Sequence, residues 1–417
     1  MSLILACILS VLTLVSSSII QNGQERRVVF PDTKIASASQ SSNWLTFPPN
    51  SSEISYKGRW DSQYISWWSA PGIKFRFTGS KLALSFGPQT SPNVLVGFRV
   101  NGQDWTFTNI SSSSTHQFYP LPSPVPALQP WHPHVLGAPI NPSNTTIQTF
   151  ELYVSNWAYG IQLQAIHLSP GAHLHRAPTF GRTLEVIGDS LTAGQYASYE
   201  ALSSWAWQVS RGLGVESSIT AYPGVCLVDA PCWGNPRGQA HQWFQTRDTS
   251  WRGNSLGEEK WDFTRHPAAD VVLIHIGTND NNTANNVTAE RYVSAYKELV
   301  QGIHTVWPKA QIVLVSLWSG YWNDGYRWRQ GGSWVDEIWG VYKTFEKEGY
   351  VHYFNTSGLM THNDIGPQWH YTDVGHVKLG SALIQYLRMK FGWEVEEEVA
   401  GQEVLHDTTY WNDQANY

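Results

Sequence analysis

Residues 185–194 carry a short apolar run that ends in Gly-Asp-Ser and leads directly into helix-forming sequence. A strand followed by such a turn and a helix places the serine at the carboxyl edge of a parallel sheet, at the start of the helix. Backbone N–H groups at a helix N-terminus stabilise negative charge, so Ser190 at this place can act as a nucleophile. Because Asp and Ser are also common helix caps, the pattern alone fits an ordinary turn as well. The choice depends on whether the rest of the chain supplies an oxyanion hole and a base.

The C-terminal half of the chain alternates strand-like and helix-like segments, which predicts a parallel sheet covered by helices. The apolar strand runs lie at residues 184–187, 218–221, 270–276, 312–316 and 351–354. Helices are expected at about residues 190–213, 289–306 and 374–391. We therefore predict a three-layer α/β domain with a mainly parallel sheet over residues 181–393. The acidic tail at residues 394–417 is expected to be peripheral or disordered.

The N-terminal half has a different pattern, in which short runs alternate apolar and polar residues. Asn101-Gly102 lies between two such runs and is a hairpin signal. No convincing amphipathic helix interrupts the runs, so we predict a β-sandwich or jelly roll over residues 27–170. Its Pro-rich segment at residues 119–142 is expected to be an ordered loop or spacer.

Composition narrows the class of protein. Hydrophobic residues make up 41% of the chain and charged residues 14%, which is typical of a globular protein. The formal net charge of −6 gives no electrostatic case for binding nucleic acid or an anionic membrane. The 22 Trp, 19 Tyr and 15 Phe residues suit both a β-rich core and a surface that stacks on sugars.

The first 18 residues combine an apolar stretch with small residues, which is typical of a secretory signal peptide although a basic start is missing. A membrane anchor is the alternative interpretation. After cleavage near Ser18 the chain would keep Cys226 and Cys232. An even pair of cysteines in a secreted protein suggests a disulfide rather than two free thiols. We therefore expect a secreted, extracellular protein.

Asn-x-Ser/Thr sequons fit passage through a eukaryotic secretory route, although the motif also arises by chance. The expected glycosylation sites are Asn50, Asn109, Asn144, Asn281, Asn286 and Asn355. No apolar run after the first segment is long enough to span a bilayer, so no membrane partner is expected.

Three predicted strand ends carry residues suited to acyl transfer, and the carboxyl ends of parallel strands meet at one edge of a sheet. The first strand leads to Ser190, the second to Gly224 and the third to Asn279. Acyl transfer through a tetrahedral intermediate needs hydrogen-bond donors that converge on the oxyanion. The Ser190 N–H, the Gly224 N–H and the Asn279 side-chain amide would supply three such donors.

Gly188-Asp189-Ser190, Gly224, Gly277-Thr278-Asn279-Asp280 and a late histidine resemble, in this order, the four sequence blocks of the SGNH (GDSL) hydrolases. The resemblance covers about residues 182–393 and implies a serine hydrolase. The sandwich in front of this domain resembles carbohydrate esterase family 2, through weaker motifs at residues 58–61 and 68–73. The second resemblance implies removal of acetyl groups from plant polysaccharides.

Two histidines near the C-terminus are candidates for the base. Asp373 and His376 form an Asp-x-x-His, the usual acid–base pair of the wider family. However, Thr372 or Asp373 suits the N-cap of the last helix, and the base of the resembling family normally lies in the loop just before that helix. The resemblance therefore favours His370 as the base and implies that His376 is a structural residue of the first helical turn.

With His370 as the base, the group that orients the base cannot be the aspartate found at the usual position. In the register that favours His370, Pro367 occupies the position of the aspartate that the family usually has three residues before its base. An aspartate there fixes the imidazole tautomer and stabilises the imidazolium. Without it, a backbone carbonyl would accept the Nδ1–H in a Ser–His dyad, or Asp364 would reach back across the turn. The sequence leaves both arrangements open.

Two tryptophans are candidates for substrate binding. Trp369 matches an aromatic residue that lines the substrate cleft in the resembling esterases, and a core tryptophan is the alternative. Trp322 lies in an aromatic, Gly-rich segment that fits either a glycan-binding wall or an aromatic-packed loop. His132 and His134 lie close together in the Pro-rich segment but have no neighbouring Cys or acidic ligand, so we expect no metal and no cofactor.

These features predict a secreted serine esterase that removes acetyl groups from plant cell-wall polysaccharides or oligosaccharides through an acyl-enzyme. Its expected partner is the acetylated glycan, with neither nucleic acid nor a membrane bound, and a monomer is expected. Two alternatives remain. One is a lipase or general carboxylesterase of the same SGNH class, and the other is a non-catalytic glycan-binding protein on a hydrolase scaffold.

Overall fold

The computed structural model of the chain describes residues 19–21, 24–26, 30–36, 38, 43–103, 105–122, 146–157, 159–248, 257–318 and 320–394. The predicted signal peptide, most of the Pro-rich segment with His132 and His134, the sequon at Asn144 and nearly all of the acidic tail lie outside these residues. The chain divides into two compact units, residues 1–30 and 31–417. Within the first unit, strands β1 (Ile19–Gln21) and β2 (Gln24–Arg26) pair in antiparallel orientation.

The alternating sequence of the N-terminal half forms two antiparallel six-stranded sheets within the described part of the second unit. One sheet contains β5 (Ser55–Lys57), β7 (Gly72–Phe77), β9 (Val94–Val100), β10 (Thr106–Ile110), β12 (Gln148–Val154) and β14 (Leu174–His175). The other contains β3 (Lys34–Ile35), β4 (Leu45–Phe47), β6 (Ile65–Ser66), β8 (Leu82–Phe86), β11 (Ser114–Tyr119) and β13 (Ile161–Leu168). The strand orders are β10–β9–β12–β7–β14, with β5 beside β7, and β3–β11–β8–β13–β4, with β6 beside β13.

The inner faces of these sheets share an aromatic core. The rings of Phe98 on β9 and Phe118 on β11 meet edge to face at 4.8 Å between centroids, and Phe118 lies 5.5 Å from Phe150 on β12. Alternation of apolar residues along each strand places such side chains on one face of the sheet. The predicted sandwich is confirmed, and its first sheet includes β14, which lies beyond the predicted boundary at residue 170.

The C-terminal half contains a five-stranded, wholly parallel sheet. Its strands are β15 (Thr183–Gly188), β16 (Glu216–Ala221), β17 (Val271–His275), β18 (Gln311–Val315) and β21 (Val351–Phe354). They are ordered β16–β15–β17–β18–β21, so the strand order reverses between β15 and β17. In open sheets of this kind, ligands bind at the carboxyl edge beside such a reversal. Ser190 follows β15 and Asn279 follows β17, so both lie at this point.

Helices cover both faces of the parallel sheet, as predicted for a three-layer domain. They are α1 (Ser190–Ala193), α2 (Trp205–Leu213), α3 (Gln239–Gln242), α4 (Ala289–Val306), α5 (Val335–Phe345) and α6 (Asp373–Phe391). One face packs against α2 and α6 and the other against α4 and α5. None of the helices among the described residues has the length and apolar character needed to cross a membrane.

The prediction of one continuous helix over residues 190–213 is wrong. Helix α1 ends after one turn because Gly194 adopts a left-handed conformation with φ of 76°. A Cβ at this position would lie 2.2 Å from the Glu200 carbonyl oxygen, so only glycine fits. Helix α2 starts independently at Trp205, where the Ser204 side chain accepts a hydrogen bond from the Trp207 N–H.

The aromatic segment after β18 contains regular structure that the sequence pattern did not indicate. Strands β19 (Gly320–Asp324) and β20 (Arg327–Gly331) form an antiparallel hairpin, and α5 follows it. Trp322 pairs with Arg329 in this hairpin and is 50% exposed. The segment is therefore a projecting hairpin rather than an irregular loop.

The sandwich is attached directly to the edge of the parallel sheet. Ser69 forms an antiparallel bridge with Ile219 on the outer strand β16, and its hydroxyl donates a hydrogen bond to the Ala221 carbonyl at 2.9 Å. The loop after β12 is held as well, because the Trp157 N–H donates to the Glu200 carboxylate at 2.9 Å. Trp157 of the sandwich is thereby brought to the carboxyl edge of the parallel sheet, close to Ser190.

Candidate active site

Ser190 is the first residue of α1, at the carboxyl end of β15. The Asp189 carboxylate accepts a hydrogen bond from the Leu191 N–H at 3.0 Å and caps the helix. Asp189 is fully buried, and this burial raises the pKa of its carboxyl to about 7. Ser190 itself is 5% exposed. The capped turn thus holds the serine in a defined position at the sheet edge.

His370 lies in the loop before α6 and reaches Ser190. Its Nε2 lies 2.8 Å from Ser190 Oγ, and its Nδ1 lies 2.9 Å from the Gln368 carbonyl oxygen. A carbonyl can only accept, so Nδ1 carries the proton and Nε2 is left to accept from the serine hydroxyl. Burial lowers the pKa of His370, which favours the neutral imidazole that this arrangement requires.

An unusual backbone conformation places the carbonyl that orients His370. Gln368 and Trp369 are consecutive non-glycine residues in the left-handed region, with φ of 50° and 64°. Such residues cost about 1–3 kcal/mol each and persist where the surroundings determine them. Here the Trp318 indole donates to the Trp369 carbonyl at 3.1 Å, and the Gly366 N–H donates to the His370 carbonyl at 2.7 Å. The loop therefore places the Gln368 carbonyl beside His370 Nδ1, at the position where a Ser–His–Asp triad has a carboxylate.

Asp364 makes its contacts away from His370. Its carboxylate accepts from the Thr361 N–H and from Lys378 Nζ, both at 2.6 Å. Burial raises the pKa of Asp364, but the hydrogen bonds from Lys378 and Thr361 and the charge of Lys378 together outweigh it and leave the pKa below its ordinary value. Pro367 begins the short turn that contains Gln368. Of the two arrangements that the sequence left open, the structure has the backbone carbonyl beside the imidazole.

Asp373 and His376 make their hydrogen bonds to other residues than Ser190 and do not act as a pair. The His376 ring is buried, and its Nδ1 accepts a hydrogen bond from the Trp205 N–H at 3.1 Å. Burial lowers the pKa of His376 to about 3, so the ring is neutral. The Asp373 carboxylate accepts from the Ser198 N–H at 2.9 Å and from the Ser198 hydroxyl. These contacts hold the start of α2 and the segment before it, and none of them involves Ser190.

Gly224 and Asn279 line the same cavity as Ser190 and His370. Gly224 has φ of 80°, and a Cβ there would lie 2.9 Å from the Cβ of Trp233. One N–H of the Asn279 amide donates to the Val225 carbonyl at 2.9 Å, which fixes the side chain and leaves the second N–H available. The structure therefore brings together the three sources of oxyanion donors that the sequence predicts.

The loop after Gly224 is tied down at several points. The predicted disulfide between Cys226 and Cys232 is present. The buried Asp280 carboxylate accepts from the Leu227 and Val228 N–H groups at 2.8 and 3.0 Å. Burial raises the pKa of Asp280 to about 6. Asp280, the residue that follows Asn279, therefore holds the loop that begins at Gly224.

The cavity has a volume of about 790 Å³ and a wall of mixed polar and aromatic side chains. Trp369 lines it and is 59% exposed, whereas Trp322 is not among its lining residues. Three further tryptophans line it: Trp318 before the hairpin and two that the sequence did not indicate, Trp157 from the sandwich and Trp233 beside the disulfide. Nor did the sequence indicate Tyr196, whose ring meets the His370 ring at 5.0 Å. No local pattern marks these residues, because Trp157 and Trp233 come from distant loops and Tyr196 meets His370 only through the tertiary fold.

Of the predicted glycosylation sites, five lie among the described residues and are exposed: Asn50, Asn109, Asn281, Asn286 and Asn355. Asn281 also lines the cavity. Within the described ranges, no group of three or more His, Cys, Asp or Glu side chains is arranged to hold a metal ion.

The GDSL-like lipase/acylhydrolase family model matches residues 186–378. No curated protein matches the chain. Among solved structures, a family two carbohydrate esterase from Cellvibrio japonicus has a TM-score of 0.64 and 17% identity, over 84% of this chain and 98% of that one. An acetyl xylan esterase from the rumen bacterium Butyrivibrio proteoclasticus has a TM-score of 0.63 and 17% identity, over 84% and 99%. A family two carbohydrate esterase from Clostridium thermocellum, in complex with cellohexaose, has a TM-score of 0.62 and 19% identity, over 82% and 99%.

These likenesses span nearly the whole of each solved chain, so they include the sandwich as well as the α/β domain. At such identities the likeness is one of fold. The family match is independent of it and covers the segment that carries Ser190, Gly224, Asn279 and His370. Residues 186–378 therefore belong to the GDSL-like lipase/acylhydrolase family, and the chain is a carboxylic ester hydrolase of the SGNH class with a β-sandwich in front of its catalytic domain.

Proposed function

We propose that this hydrolase is a secreted acetylesterase that acts on acetylated plant cell-wall polysaccharides or oligosaccharides through an acyl-enzyme on Ser190. The observation that carries the proposal is the 2.8 Å contact between Ser190 Oγ and His370 Nε2 in an open, aromatic-walled cavity. Similarity to a solved acetyl xylan esterase and to a complex with cellohexaose supports a carbohydrate substrate. The disulfide supports an oxidising compartment.

The proposed reaction has two steps. His370 Nε2 takes the Ser190 hydroxyl proton as Oγ attacks the ester carbonyl, and the oxyanion is held by the Ser190 N–H, the Gly224 N–H and the Asn279 amide. The protonated imidazole gives its proton to the sugar oxygen as the bond to the acyl carbon breaks. A water molecule then attacks the acyl-enzyme with His370 again as base, which releases acetate and restores Ser190.

The walls of the cavity suit a sugar better than a long alkyl chain. The exposed faces of Trp233 and Trp369 can stack on sugar rings, while Asn279, Thr278 and Ser333 contribute polar groups. A site built for a long acyl chain would need a predominantly apolar lining. Trp322 on the hairpin would contact only a glycan chain that extends beyond the cavity.

An acyl-chain series on one leaving group tests this function. We expect kcat/KM to be highest for 4-nitrophenyl acetate and to fall by about tenfold or more at the octanoate, because the polar wall gives a long chain little stabilisation. Acetate release from acetylated xylan is measured in parallel, with the Ser190→Ala protein as background. Highest activity on the octanoate would identify a lipase instead. Glycan binding without any turnover would identify a non-catalytic protein.

The pH dependence of turnover follows from the burial of His370. Because burial lowers the pKa of His370 below its ordinary value of 6.5, the neutral base persists to more acidic pH. The value of kcat/KM should therefore still exceed half of its plateau at pH 6.5 and fall to half only at lower pH. A profile of kcat/KM at constant ionic strength, with circular dichroism at each pH as the folding control, tests this. An acid limb with its midpoint at or above 6.5 would contradict it.

A further inference from the structure

One predicted glycosylation sequon lies at the active site. Asn281, Asn282 and Thr283 are all exposed, and all three line the cavity that contains Ser190. Asn281 follows Asn279 by two residues, so its Cα lies at most about 7 Å from that of Asn279. Among the sequons within the described residues, those at Asn50, Asn109, Asn286 and Asn355 begin outside the cavity lining.

The backbone of this sequon is held in place, and its acceptor side chain is not engaged. The Asn281 N–H donates to the Gly277 carbonyl at 3.0 Å, and the Asn282 side chain accepts from the Ala284 N–H at 3.0 Å. The Asn281 amide has no hydrogen-bond partner among the described residues. At Asn109, by contrast, the amide donates to the Asn93 carbonyl at 3.1 Å. A glycan on Asn281 would therefore start from a fixed point on the cavity rim without breaking an existing contact.

We propose that Asn281 is N-glycosylated and that its glycan restricts access of polymeric substrate to the cavity. The proposal rests on the proposed esterase function. An N-glycan is bulky and fully hydrated, so it occupies space that a polysaccharide chain must cross to place its ester at Ser190. A small ester needs only the cavity itself. The modification would shift preference from polymers toward short oligosaccharides and small esters.

Substitutions in the sequon and a change of expression host together distinguish an effect of the glycan from an effect of the Asn281 and Thr283 side chains. Thr283→Ala removes the sequon and keeps Asn281, whereas Thr283→Ser keeps the sequon. Ser357→Ala is the matched control, because it removes the sequon of the exposed Asn355, away from the cavity, by the same type of change. Each protein is made in a secreting yeast and in the bacterial periplasm, which forms disulfides but adds no N-glycan of this kind.

The measured quantity is the ratio of kcat/KM on acetylated xylan to kcat/KM on 4-nitrophenyl acetate, together with glycopeptide mass spectrometry. For protein from yeast, we expect an occupied Asn281 and a ratio that rises about threefold to tenfold in Thr283→Ala but not in Thr283→Ser or Ser357→Ala. Endoglycosidase treatment of the native sequence should reproduce the rise. In protein from bacteria, Thr283→Ala should show no such rise in the ratio over the native sequence.

Three results would overturn the proposal. They are an unoccupied Asn281, an occupied Asn281 with an unchanged ratio after endoglycosidase treatment, and an equal rise in the bacterial protein. The last result would assign the effect to the Thr283 side chain. Failure of the esterase function itself has a different signature, because ester hydrolysis would then be missing from the glycan-free bacterial protein as well.

Discussion

Replacing either Ser190 or His370 with alanine is expected to lower kcat by at least about 10³-fold. Ser190 Oγ and His370 Nε2 are 2.8 Å apart and act as one unit, so the double variant should lose little beyond either single change. The measurement is kcat and KM on 4-nitrophenyl acetate. Thermal unfolding of each variant shows whether the fold is retained, which is expected because both side chains lie at the surface of the cavity.

Two further variants control for the assignment of the base. His376→Ala should lower the melting temperature, since the His376 ring accepts the Trp205 N–H at the start of α2, while the folded fraction keeps its turnover. Asp364→Asn should change kcat by a few-fold at most, because Asp364 pairs with Lys378 and not with the imidazole. A loss in Asp364→Asn as large as in His370→Ala would refute the dyad. Loss of turnover in His376→Ala alone, with the fold retained, would move the base to His376.

Replacing Arg59 with alanine is expected to lower the free energy of unfolding by about 3–5 kcal/mol, because it leaves a buried carboxylate without its partner. Arg59 is 1% exposed and connects the sandwich to the catalytic domain. Its guanidinium donates to Glu185 Oε1 at 3.0 Å, to the Gln245 carbonyl at 2.9 Å and to the Trp243 carbonyl. Burial lowers the pKa of Arg59 to about 10, so it remains charged at neutral pH.

Arg237 provides the matched control for Arg59. It forms a bidentate pair with Asp229, with the two contacts at 2.7 and 2.8 Å, but both side chains are more than a third exposed. Exposed pairs contribute less than about 1 kcal/mol, so Arg237→Ala should leave the unfolding curve nearly unchanged. Urea denaturation at neutral pH measures both variants. A change below about 1 kcal/mol in Arg59→Ala would show that the sandwich and the catalytic domain do not depend on this buried pair.

Much of the site could be predicted from short segments. The apolar run before Ser190 and the helix-forming sequence after it specify a strand–turn–helix, whose carboxyl end is the place for chemistry in a parallel sheet. Gly224 and Asn279 follow two other strands of the same sheet, and parallel strands bring their carboxyl ends to one edge. The pair Cys226 and Cys232 is close in sequence, so its disulfide needed no knowledge of the fold.

Local patterns failed where the outcome depended on contacts between distant segments. The helix predicted over residues 190–213 is interrupted at Gly194, whose left-handed conformation lets the chain turn back so closely that the Glu200 carbonyl lies where a side chain would be. The hairpin at residues 320–331 was missed because its exposed aromatic side chains do not follow the alternation of a half-buried strand.

The sequence by itself determined the two-part architecture and predicted Ser190, Gly224 and Asn279 as residues that meet at one sheet edge, because periodicity and strand ends report which face of an element is buried and where it stops. Only the tertiary structure decided that the Gln368 carbonyl orients His370 in place of Asp364, that Trp157 and Trp233 wall the cavity, and that Asn281 lies on its rim. The physical reason is that these relations depend on left-handed loop conformations and on loops far apart in the chain, and neither leaves a periodic signal in the sequence.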